Sequence, residues 1–198
     1  MGLKGNSSRS LSLGDVPQYE ELLAGLKKAF RDLSKGKYRL KDLALVSTLV
    51  FTGCRVGEAA RLRWDDILWR QRALKVFQEK KGYEHPRVVP VPVDFYWNLL
   101  RKYKKRGGNG ERVFPITTRQ ARNAVYGFTE RYLARRLRPH AIRHSYAIYV
   151  LKTTRDLEAV RRLLGHSDYK WLKVYLNCTQ EDLEERLGEA FEEAFESA

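Results

Sequence analysis

The chain has 198 residues, 43% of them hydrophobic and 12% aromatic, which is enough for one domain with a real core and excludes global disorder. Its 38 Lys and Arg outnumber 24 Asp and Glu for a formal net charge of +14, which points to a polyanionic partner. The longest apolar runs fall far short of the roughly 20 residues a membrane helix needs, and two cysteines, Cys54 and Cys178, build neither a disulfide framework nor a Cys-rich zinc site.

Residues 1–16, Gly/Ser-rich with Lys4 and Arg9, read as a flexible leader and not as a secretory signal, so a soluble, cytoplasmic protein without a membrane partner is expected. Pro17 opens a helical pattern with Tyr19, Leu22, Leu23, Leu26 and Phe30 on one face, ending near Gly36. Residues 40–51 predict a buried helix stopped by Gly53, and a third helix begins near Val56. Residues 73–78 and 87–91 are short and β-prone and read as a hairpin; Pro90 and Pro92 confine its second strand to a sheet edge. Residues 95–103 read as a helix, followed by a basic, glycine-rich loop with Lys104, Lys105 and Arg106. Residues 118–133 form an Arg-rich amphipathic helix carrying Arg119 and Arg122, Pro139 begins a helix through Val150, and residues 157–164 give one more before Gly165. The expected fold is mainly α with a small antiparallel β-sheet, an α+β arrangement, with a domain over residues 17–180.

Residues 181–198 differ in kind. Eight acids and one base give them a net charge of −7, which leaves +21 on the other 180 residues. Leu183, Leu187, Ala190, Phe191, Ala194 and Phe195 form one apolar stripe of a C-terminal helix that packs either on its own domain or on a neighbouring protomer. A single Met and abundant Arg, Glu and Lys resemble a thermophile's composition.

Four short strings carry chemistry. Thr52-Gly53-Cys54-Arg55-Val56-Gly57-Glu58 sets Arg55 at a helix N-terminus, where a guanidinium fork can meet a phosphate, with Glu58 one turn on to hold it; a structural Arg–Glu pair is the simpler reading. Lys80 and Lys81 sit at the hairpin turn, where a lysine is ordinarily only solvated. Arg138-Pro139-His140-Ala141-Ile142-Arg143-His144 puts His140 and Arg143 on one face at the start of a helix; a core histidine beside a surface arginine fits as well. Leu163-Leu164-Gly165-His166 precedes Tyr175 by nine residues, and Tyr175 taken alone reads as a core aromatic. None of the four histidines sits in an HExxH motif, and no metal or other cofactor is expected.

In combination and in this order, the strings resemble the catalytic domain of the tyrosine recombinase (phage integrase) family, of the Xer type, over most of the chain from Val16 to Asn177. The resemblance implies site-specific DNA cleavage and rejoining through a 3′-phosphotyrosine intermediate, with double-stranded DNA as partner and a homotetramer on it. It implies Tyr175 as nucleophile, Arg55 and Arg143 as clamps on the non-bridging oxygens, His140 as base or hydrogen-bond partner, and His166 as a phosphate ligand. Lys81 matches the family's hairpin lysine, the proton donor to the leaving 5′-oxygen, with Lys80 a rival because the turn holds one residue more than the commonest pattern. Glu58 and His144 would support the site, and Lys104, Lys105, Arg106, Arg119 and Arg122 would bind DNA.

The family's N-terminal DNA-clamping domain has no counterpart before Pro17. That leaves either a catalytic fragment or a minimal enzyme gripping DNA from one face, with an archaeal, viral or plasmid integrase the favoured source. A type IB topoisomerase-like nicking-closing enzyme and a catalytically silent DNA-binding module are the other readings.

Overall fold

The computed structural model describes residues 16–78, 86–107, 110–165, 191 and 195. In chain order these form α1 (Tyr19–Ser34), α2 (Leu40–Thr52), α3 (Val56–Arg61), a 3-10 turn (Trp64–Asp66), β1 (Ile67–Leu68), β2 (Ala73–Val76), β3 (Arg87–Pro90), α4 (Asp94–Lys105), α5 (Thr118–Leu133), α6 (Pro139–Thr154) and α7 (Leu157–Leu164). The mainly helical class with a small antiparallel sheet is as the sequence predicts.

The centre of the fold is α2. It is buried on every side, as a helix surrounded by others is, and every residue from Asp42 to Val50 is buried, most of them apolar. Helices α1, α4, α5 and α6 pack around it. Its two buried threonines satisfy themselves locally, Thr48 Oγ1 donating to Ala44 O at 2.8 Å and Thr52 Oγ1 to Thr48 O at 2.6 Å. The first helix turns Tyr19, Leu22, Leu26 and Ala29 inward, and the Tyr19 hydroxyl ties it to α2 by donating to Val50 O at 3.1 Å. Phe30, expected in that stripe, lies one residue round from Ala29 and is 41% exposed, edge-on to Phe95.

The sheet holds three strands in the order β1-β2-β3, not the two-stranded hairpin the sequence predicts. The additional strand is two residues long, too short to show an alternation. Strand β3 lies at the edge, as its proline requires, with Val88 paired to Lys75 and Arg87 to Val76. Arg87 and Val89 face inward while Val88 and Pro90 face out.

Two boundaries differ from expectation. Lys104 and Lys105 are not in a loop but in the last turn of α4, with Arg106 as its C-cap; cations at that end complement the partial negative charge of the unpaired carbonyls. Helix α6 runs past Val150 to Thr154, where Arg155 ends it in a left-handed conformation. The expected hairpin turn and nearly all of the acidic C-terminal segment lie outside the described residues, as do Lys80, Lys81, His166 and Tyr175. Phe191 and Phe195 are helical and 69% and 85% exposed. Among the described residues no helix is long and apolar enough to cross a membrane.

Candidate active site

The site begins where α2 stops. Gly53 takes a left-handed conformation (φ +59°), and a Cβ there would lie 2.3 Å from the Tyr146 ring, so only glycine fits. The reversal delivers Arg55 to the N-cap of α3. Its backbone N–H donates to Glu58 Oε2 at 2.8 Å and its Nη1 to Glu58 Oε1 at 3.1 Å, the hold that the sequence suggests.

Glu58 is shared. Its carboxylate has no solvent exposure and is also gripped by Arg87 on β3, Nη2 to Oε2 at 2.6 Å and Nη1 to Oε1 at 3.3 Å. Burial pushes the Glu58 carboxyl up, but the Arg87 hydrogen bond and charge, then the Arg55 N–H and the Arg143 charge, outweigh it and hold the group below its ordinary value. The third Arg87 nitrogen, through Nε–H, donates to Leu163 O in the last turn of α7 at 2.8 Å.

Pro139 at the first turn of α6 fixes the direction in which His140 and Arg143 leave the helix. Arg143 is 5% exposed, with Nη1 donating to Gly53 O at 2.6 Å and Nη2 to Leu164 O at 2.7 Å. Two adjacent carbonyls at the C-terminus of α7, Leu163 and Leu164, are thus taken by two different guanidinium groups. Burial, then the Arg55 charge, brings Arg143 down to about 10, which leaves it cationic at neutral pH.

Arg55, His140 and Arg143 open together into a cleft of about 200 Å³, where Thr118 and Arg122 of α5 and Arg138 at the α6 N-cap join them, over Cys54 and Gly57. His140 is exposed to this cleft. Its pKa is lowered, first by partial burial and then by Arg143, Arg55 and Arg122, so the imidazole is neutral at pH 7 and able to accept a proton. His144, one turn deeper, is pushed down to about 4 by burial, His140 and Arg143. Burial pushes the Cys54 thiol up to about 11. Four guanidinium groups, a neutral imidazole and a helix N-terminus around one small cleft make a receptor for a tetrahedral anion.

The structure therefore brings together Arg55, Glu58, His140, Arg143 and Arg122 of the residues singled out from the sequence. Arg119 is exposed in the first turn of α5, and Lys104, Lys105 and Arg106 lie at the end of α4, where the Lys104 ammonium sits 5.1 Å above the Trp64 ring. Sequence reasoning missed Arg87, Thr118 and Arg138. Arg87 faces inward on β3, but two adjacent valines leave the inward face of that strand unmarked in the sequence. Among the described residues no cluster of three His, Cys, Asp or Glu could hold a metal ion.

Comparison with known proteins places the chain in a family and a fold. Residues 15–182 match the model of the phage integrase family. Tyrosine recombinase XerC of Pediococcus pentosaceus is 30% identical over 172 residues, covering 80% of this chain and 56% of that protein. The chain spans about half the length of the curated relatives it matches. Among solved structures, XerA recombinase superposes with a TM-score of 0.73 at 19% identity, over 91% of this chain and 66% of that one. A lambda integrase tetramer bound to a Holliday junction does so with a TM-score of 0.58 at 20% identity, over 78% of this chain and 47% of that one.

Proposed function

Because the chain belongs to the phage integrase family, we propose that it is a site-specific DNA recombinase that cuts and rejoins strands through a covalent phosphotyrosine. The observation that carries the reading is the convergence of Arg55, His140 and Arg143 in one cationic cleft. The phenolic oxygen of Tyr175 attacks the scissile phosphorus, the P–O5′ bond breaks, and a 3′-phosphotyrosine and a free 5′-hydroxyl result. His140, neutral at pH 7, takes or shares the phenol proton. Lys81, with Lys80 as rival, supplies the proton that the departing 5′-oxygen needs, and His166 hydrogen-bonds the phosphate. Arg55 and Arg143 neutralise the charge that grows on the non-bridging oxygens, an electrostatic contribution that is usually the largest in such reactions. The bond energy is kept in the phosphotyrosine, so a second 5′-hydroxyl reverses the step without ATP.

Double-stranded DNA is the substrate of this reading, and Arg122 and Arg138 extend the cationic cleft beyond the reacting phosphate. The protein works as a homotetramer on DNA, the assembly that the lambda integrase structure holds on a Holliday junction. The exposure of helical Phe191 and Phe195 supports an acidic C-terminal helix, over residues 181–198, that docks on a neighbouring protomer and not on its own domain. Residues 17–180 act as the catalytic domain and the protein works in the cytoplasm at the nucleoid.

A library of random-sequence duplexes, each nicked so that cleavage releases a short fragment and traps the enzyme, tests the proposal. The wild-type protein forms a covalent adduct whose DNA ends reveal the target sequence, and Tyr175→Phe forms none. A wild-type protein that leaves every duplex unlinked over a range of salt and temperature overturns the reading.

A further inference from the structure

We infer that Arg87 is a positioning residue of this site: it aims Arg55 through their shared carboxylate while it fixes the end of α7 beside Arg143. The inference rests on the recombinase reading and names a group that reading does not use. Arg87 is 8% exposed, on an edge strand, and its side chain spends all three nitrogens in two directions. The two terminal nitrogens meet the Glu58 carboxylate, whose Oε1 also receives Arg55 Nη1. Its Nε–H meets Leu163 O, one residue before the carbonyl that Arg143 holds. A buried carboxylate bearing two guanidinium groups fixes the direction of the more exposed one, and Arg55, at 30% side-chain exposure, is the one that lines the cleft.

A second, independent observation comes from Gly165. It ends α7 at φ +68°, and a Cβ on it would lie 3.1 Å from both Cδ and Nη1 of Arg87 and 2.5 Å from Gln78 Nε2. The backbone has been brought against the Arg87 side chain with no room for a methyl group. Lysine radiates its three N–H donors from one nitrogen, so it cannot present two parallel bonds to the carboxylate and a third to the Leu163 carbonyl as the planar guanidinium does.

The test compares wild type, Arg87→Lys and Gly165→Ala on one nicked duplex whose scissile phosphate is either an ordinary phosphodiester or a neutral methylphosphonate. Arg87→Lys keeps the charge and loses the fork; the methyl group that Gly165→Ala adds presses on Gln78 and on the Arg87 guanidinium, shifting the fork while keeping the charge. Both variants are expected to bind the duplex within about twofold of wild type, since Arg87 is shielded from solvent, and to form adduct at saturating DNA roughly tenfold or more slowly. On the methylphosphonate, which lacks the negative charge that Arg55 neutralises, the deficit shrinks by roughly tenfold. Equal deficits on the two substrates overturn the inference, because a residue that merely supports the fold does not sense the charge of the phosphate. So does full-rate cleavage by folded Arg87→Lys, and so does loss of the folded state in both variants at the assay temperature. A wild-type protein that forms no adduct overturns the recombinase reading and this inference with it; a wild-type adduct with equal deficits overturns the inference alone.

Discussion

Arg143 donates through Nη1 to the carbonyl of Gly53 at 2.6 Å, across 90 positions of sequence. That bond joins the start of α6 to the turn that delivers Arg55, so Arg55 and Arg143, two of the four guanidinium groups of the cleft, are tied by one contact between side chain and backbone. Tyr146, one turn on from Arg143, closes the same turn by filling the space where a Cβ of residue 53 would stand.

Gly53→Ala therefore combines a left-handed alanine with a ring displaced from a full core. Equilibrium urea unfolding should show a loss of about 2–4 kcal/mol. A loss below about 1 kcal/mol would mean that Tyr146 relaxes freely and that this turn is not held as described.

Arg122 and Arg138 line the cleft beside the pair assigned to the reacting phosphate. If each neutralises a neighbouring phosphate, Arg122→Ala and Arg138→Ala should each reduce the slope of log K against log salt by about 0.9. Fluorescence anisotropy of a labelled duplex from low to moderate salt measures it. Slopes unchanged from wild type would place the DNA backbone elsewhere.

The lowered pKa of His140 fixes the acid side of the rate profile. At sub-saturating DNA, where the rate reports the free enzyme, adduct formation should fall with an apparent pKa below the ordinary imidazole value of 6.5, because the neutral ring is the competent form. An acid limb at or above 6.5 would remove His140 from the role of proton acceptor.

His144 makes a separate prediction about stability. Its folded-state pKa of about 4 lies below the ordinary 6.5, so between these values the unfolded chain binds the extra proton and stability falls as pH falls. The contribution is on the order of 1 kcal/mol after discounting for the solvent that reaches this half-buried ring. Chemical denaturation at about pH 7 and about pH 5 should show the loss, and His144→Gln should lessen it. Glu58, also held below its ordinary value, loses its stabilising charge as pH falls through that folded value and adds to the same trend at the acid end.

Much of this was legible in the chain because the breaks are punctuated. Gly53, Pro139 and Gly165 each stand where a helix ends or starts, and they frame the segments that carry Arg55, His140 and Arg143. Strand β1 was not legible, since two residues have no period. The helical state of Lys104 and Lys105 was hidden by the glycines after them, which suggest a loop while the charges favour a helix end. Arg87 was hidden for a different reason. Its role depends on Glu58 and Leu163, 29 and 76 positions away, and no local pattern reports that three such groups meet.

The floor of the cleft has a practical consequence. Cys54 adjoins Arg55, yet its thiol is buried and held protonated, with a pKa of about 11. A protonated, enclosed sulfur is a poor nucleophile. Maleimides, iodoacetamide and mild oxidants will therefore pass this position by, and a fluorophore will not mark the cleft through Cys54.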